Sequence, residues 1–166
     1  MEPGEKSLVT AMSVQMRAEI ILYTGGWMKG MLHSQYLDEP YEFFSFMRMI
    51  EKMEGIFDSK KFPQAFMTPR TFNNVKRGIR EHDAERNGVM KDVMMQNTQE
   101  RAISSKCTFE ITVKFRQNAT WQGQILWAEK SVKQNFRSVL EMLKLMDEAL
   151  MENGGDAVMV DWGGTD

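Results

Sequence analysis

A chain of 166 residues, 42% hydrophobic and 27% charged, carries enough apolar material for a core, which excludes wholesale disorder. It reads as one domain or two small units sharing a core. The net charge of −2 offers no global attraction to nucleic acid or an acidic membrane, and the single cysteine, Cys107, excludes an internal disulfide and a multi-thiolate zinc site.

With no leader-like segment and no apolar run near 18 residues, a soluble cytoplasmic protein with no membrane contact is expected. In that setting the sequon-like Asn118-Ala119-Thr120 is a turn. The 16 methionines are expected to act as adaptable core filling.

Residues 1–13 read as a flexible N-terminus. Residues 14–72 read as a β-β-β-α unit with a trailing edge segment. Its first strand carries Met16, Ala18, Ile20 and Leu22 on one side, and Thr24-Gly25-Gly26-Trp27 supplies the first hairpin turn. A helix is predicted from Phe46 to Phe57. In the following "SKKFPQAFMTPRTF", Pro63 and Pro69 indicate an edge strand or a clamp lying on the surface. Residues 73–105 are polar and locally basic at Lys76, Arg77 and Arg80; they read as a flexible linker with a transient helix at 89–96.

Residues 106–152 form the clearest unit. In "FEITVKFR", Phe109, Ile111, Val113 and Phe115 alternate with Glu110, Thr112, Lys114 and Arg116, the period of a strand with one face buried. "QNAT" then turns the chain into a second strand, "WQGQILWA", and a turn near Lys130-Ser131 leads to a third, "VKQNFR". In "SVLEMLKLMDEALM" the period becomes helical, with Val139, Met142, Leu143, Met146 and Leu150 as the apolar stripe. Ser138 and Glu141 have the spacing of a capping box, and "NGG" at 153–155 is a helix stop. The acidic tail, 153–166, has an apolar centre at Val158 to Trp162.

Sliding the chain by 93 positions lays Met28-Lys29-Gly30 on Trp121-Gln122-Gly123, Phe43 on Phe136, Ser45 on Ser138, Met49 on Met142 and Met53 on Met146. Apolar positions match apolar positions through both the period-two and the helical stretches, which reads as an internal duplication. The first copy has Arg48 where Glu141 completes the capping box of the second. Each unit alone would leave sheet edges open. The expected fold is therefore α+β: a duplicated β-β-β-α unit forming an antiparallel sheet of about six strands, with two helices on one face and a pseudo-two-fold axis.

That arrangement leaves one sheet face open. By strand parity it carries Thr112, Lys114, Arg116, Gln122, Gln124 and Leu126 from the second copy, and Ile21, Tyr23, Lys29, Met31 and His33 from the first. The candidate binding set is Tyr23, Lys29, His33, Lys114, Arg116, Gln122 and Gln124, with the linker cluster Lys76, Arg77 and Arg80. For each the bland alternative is a solvated polar face. Trp121 and Trp127 share parity with Gly123 and Ile125, so they read as core, with Gly123 leaving room for a ring or a helix.

Catalytic groups are scarce. His33 lies on a predicted strand and His82 in the linker, while Cys107 has no histidine near it in sequence. No phosphate-cradling loop, metal-spaced set or nucleophile elbow is present, so no enzyme activity, cofactor or metal is expected.

The runs "FRQNATWQGQILWAE" and "NFRSVLEMLKLMDEAL" resemble a family of short clostridial proteins, and "MLHSQYLDEPYEFFSFMRMIEKMEGIFDSKKFPQA" looks similar to the same family. The resemblance implies a bacterial cytosolic protein and carries over no activity, cofactor or functional residue. Tandem sheet-then-helix repeats are also similar in architecture to the transcriptional-coactivator and Whirly type of single-strand binders. Those use four strands before each helix where this chain has three.

Two functional readings follow. The first is a non-catalytic interaction or adaptor module that binds a protein partner through the open sheet face, an edge strand or the linker. The second is single-stranded DNA or RNA binding by Lys114, Arg116, Gln122, Gln124, Tyr23 and Lys29. A thiol enzyme using Cys107 or His33 is the third and weakest, and a homo-oligomer paired through exposed strand edges stays open.

Overall fold

The computed structural model describes residues 13–24, 27–65, 67, 70, 72, 107–118 and 120–153. The linker cluster Lys76, Arg77 and Arg80, the transient helix at 89–96, His82 and the apolar centre of the tail lie outside the described residues. The elements in chain order are β1 (Val14–Thr24), β2 (Trp27–His33), β3 (Tyr41–Phe43), α1 (Phe46–Lys60), β4 (Cys107–Phe115), β5 (Gln122–Trp127), β6 (Val132–Phe136) and α2 (Val139–Asn153). All neighbours in the sheet are antiparallel, in the order β3-β2-β1-β4-β5-β6. The class is α+β, as the alternation of periods implied.

The centre of the sheet is the β1–β4 pair, where Met16 stands opposite Ile111, Arg17 opposite Glu110 and Ala18 opposite Phe109. Val14, Met16, Ala18 and Ile20 of β1 and Cys107, Phe109, Ile111 and Val113 of β4 are all buried on one face. Met49 and Met53 of α1 and Met142 and Met146 of α2 complete the same core. Met16, Met28, Met49, Met53, Met142 and Met146 thus fill the interior, as their flexibility suits them to do, whereas Met47, Met67 and Met151 are exposed. Trp121 and Trp127 are core residues too, Trp121 meeting the Phe57 ring edge-on at 5.1 Å.

The spacing of 93 positions recurs in the elements. α1 and α2 begin and end at matching positions, and each follows a serine that caps it. Ser45 Oγ accepts from the Arg48 amide at 3.2 Å, and Ser138 Oγ accepts from the Glu141 amide at 3.0 Å. Glu141 also reaches back to accept from the Arg137 amide at 2.6 Å, a reciprocal bond missing from α1. This amide holds the Glu141 carboxyl below its ordinary range.

Gly30 lies opposite Phe43, and Gly123 opposite Phe136. A Cβ on Gly30 would come within 2.4 Å of the Phe43 ring, and one on Gly123 within 2.0 Å of the Thr112 carbonyl oxygen. The Phe43 ring excludes a side chain at Gly30, and at Gly123 the Thr112 carbonyl does so, with the Phe136 ring behind it at 3.0 Å.

α1 runs one turn beyond the Phe57 limit predicted from its apolar stripe. Lys61 takes the left-handed conformation at φ 54 and donates its amide to the Asp58 carbonyl, while the Phe62 amide closes on Phe57 at 3.0 Å. This is a Schellman-type ending without its usual glycine. Among the described residues no helix is long and apolar enough to cross a membrane.

Candidate functional site: the open sheet face

Both helices pack into one core, so the side chains of opposite parity form the other face of the sheet. Along its middle run His33, Arg17, Glu110, Leu126 and Lys133, each beside the next across paired strands. Flanking rows hold Met31 beside Glu19, and Gln15, Thr112, Gln124 and Asn135 in succession. Of the predicted set, Lys29, His33, Lys114, Gln122 and Gln124 belong to the strands of this face. The structure does not bring them into one cluster.

Tyr23 and Arg116 are not on it. The register shifts between Ile20 and Leu22 in β1 and between Val113 and Phe115 in β4. Each bulge adds a residue to one strand and reverses the parity of all that follows. Beyond the first bulge Tyr23 turns to the core, and its hydroxyl donates to Asp147 of α2. Burial and this carboxylate push the tyrosine up to about 12. Beyond the second, Arg116 is 5% exposed. Its Nε donates to the Pro63 carbonyl at 2.6 Å, its Nη2 pairs with Asp58 at 2.7 Å, and its guanidinium lies over the Phe57 ring. Ala65 bridges to Arg116, so the proline segment after α1 is clamped by the arginine.

The same parity change works in reverse on two residues expected in the core. Leu22 is half-buried opposite Lys29, and Phe115 is 49% exposed opposite Gln122. Phe115 and Ile21, which is 41% exposed at the first bulge, therefore add large apolar surface that the alternation alone did not indicate for Phe115. One signal for the first bulge is legible: Ile20, Ile21 and Leu22 are three consecutive apolar residues and cannot all alternate. β4 carries no such mark.

Several polar groups of the face are engaged with one another. Lys29 pairs with Glu42 at 2.8 Å and Arg17 with Glu19 at 3.2 Å. Glu110 accepts from Gln15 at 3.2 Å, and Gln124 donates to Asn135 at 3.1 Å. His33 Nε2 faces the Glu19 carboxylate at 3.7 Å, beyond hydrogen-bonding reach. Cys107, the other group weighed for chemistry, is fully buried, with Asn153 donating to its sulfur at 3.2 Å. Burial pushes its thiol up, the opposite of what a nucleophile needs.

No family model matches the chain, and neither a curated protein nor a solved structure is similar to it.

Proposed function

We infer that the protein is a non-catalytic interaction module: a duplicated β-β-β-α scaffold, pseudo-two-fold in plan, that presents its open sheet face to a protein partner. The observation that carries this reading is the composition of that face. Exposed Ile21 and Phe115 and half-buried Leu22, Met31 and Leu126 stand on it, with Arg17 paired to Glu19 and Lys29 to Glu42 among them. Exposed apolar side chains with paired charges beside them suit a protein surface, where desolvating free charge is costly. A backbone-tracking groove for single strands needs a run of cations and a row of stacking rings. The displacement of Arg116 and Tyr23 to the helix side removes two of the six residues on which that second reading rested.

Capture from native lysate on the immobilised full chain tests the reading when run beside the Phe115→Glu variant. A protein retained by the wild type and lost by the variant is the expected result. Equal recovery by both would remove this face from the argument. Titration of a labelled mixed-sequence single strand at low salt is expected to show no binding, and tight, salt-sensitive binding would put nucleic acid in its place.

A further inference from the structure

The sheet has two outer edges, and they are built differently. β3 has three residues, Tyr41–Phe43, and Pro40 directly before it has no amide to offer. At that edge Leu37 and Tyr41 pack against the core. β6 has five residues, Val132–Phe136, and its first four are exposed. It contains no proline and is not bulged against β5. Among the described residues no strand pairs with its outer side. A groove of about 290 Å³ opens between β6 and α2, with Trp127, Ile125, Val132 and Leu145 in its lining and Lys130 and Glu152 among its polar residues.

We propose that β6 pairs with β6 of a second copy, antiparallel about a two-fold axis at Gln134, joining two six-stranded sheets into one. An axis normal to the sheet keeps the core face on one side, so residues of like parity must oppose each other, and three registers centre on an interior residue of the strand. Centring on Lys133 sets that lysine against its own copy. Centring on Asn135 sets Lys133 against Arg137 twice. Like charges directly opposite destabilise both. Centring on Gln134 sets glutamine against glutamine, Lys133 against Asn135, and Val132 against Phe136, with no like-charge contact. The last pair lies on the core side, toward the groove. Freedom from like-charge contact thus selects one register for pairing this strand with its own copy. The joined sheet doubles the open face and places two partner-binding surfaces side by side, although the pairing does not depend on that face binding anything.

Sedimentation equilibrium of the full chain over a concentration series tests the proposal. A five-residue strand pair lies at the small end of stable interfaces, so half-association is expected at roughly 100 μM. Asn135→Lys places lysine against Lys133 of the second copy, and is expected to weaken association about tenfold or more. Lys133→Glu added to Asn135→Lys turns that repulsion into an attraction and restores the dimer. Melting curves confirm that each variant is folded. A wild type that stays monomeric to about five times that concentration overturns the proposal. So does a dimer indifferent to Asn135→Lys, which would place the contact on the open face or another edge, and so does failure of the double variant to recover.

Discussion

After the bulge in β1 the chain places Tyr23, and after the matching bulge in β4 it places Arg116. Both side chains pass to the helix layer, and each crosses to the helix of the other half: Tyr23 to Asp147 of α2, Arg116 to Asp58 of α1. The backbone device is shared, while the chemistry differs. Tyr23 offers one hydroxyl to one carboxylate. Arg116 holds a carbonyl, a carboxylate and an aromatic ring, and with them the segment that follows α1. A β-β-β-α unit is thus completed by a side chain from its neighbour, which explains why two units share one core. The halves thus differ in what the bulge delivers and in the length of the outer strand, three residues in β3 and five in β6.

The sharpest way to break the comparison is at the two glycines. Gly123→Ala drives a Cβ against the Thr112 carbonyl oxygen, a backbone atom that cannot swing aside, and should cost about 3 kcal/mol or more in urea denaturation. Gly30→Ala meets the Phe43 ring at 2.4 Å and the Glu19 carbonyl oxygen at 2.8 Å, a milder backbone contact than the 2.0 Å at Gly123, and should cost about 2 kcal/mol. Equal losses would mean that the two crossings are packed alike.

Arg116→Met removes a buried guanidinium with all its partners and should lower stability by about 2 kcal/mol, the exposed Asp58 being rehydrated. Tyr23→Phe should cost about 1 kcal/mol at neutral pH, and that cost should depend on pH. The folded-state value of the hydroxyl, about 12, lies above the ordinary 10.0. Its contribution is therefore complete below pH 10 and lost as pH rises through 12. Stability curves of wild type and Tyr23→Phe should converge over that interval. Parallel curves would show that the Asp147 bond does not hold the proton.

The smallest expected difference is at the caps. Ser138→Ala and Ser45→Ala should each cost about 1 kcal/mol, with only a slight excess at Ser138, whose bond is 3.0 Å against 3.2 Å, since the Glu141 bond to the Arg137 amide survives the change. Thermal melts of the two variants measure it.

Much of the fold was legible beforehand. Alternation in Phe109–Val113, the helical stripe through Met142 and Met146, and the serines at 45 and 138 each mark local preferences that tertiary packing had no cause to override. The 93-residue spacing pointed to paired glycines and phenylalanines before their contact was visible. The candidate face was less legible. Lys29, His33, Lys114, Gln122 and Gln124 were assigned by parity and keep it, whereas Tyr23 and Arg116 lie beyond a bulge and lose it. In β4 the apolar alternation runs straight on through Val113 to Phe115, so a parity count has nothing to stop at. The extra length of α1 was hidden for a related reason: Lys61 takes the left-handed ending that a reader expects of glycine.

Local sequence therefore determined what repeats along the chain: strand and helix periods, the capping serines, and the glycines that small size alone permits. Those depend on a residue's neighbours within a turn or two. Tertiary structure decided which way residues 22, 23, 115 and 116 face, that β3 and β6 are the outer strands among the described residues, and that each half's helix is met by a side chain from the other half's strand. These depend on hydrogen-bond register between strands distant in sequence. A shift of one residue in that register exchanges the two faces of the sheet without altering the chain's composition.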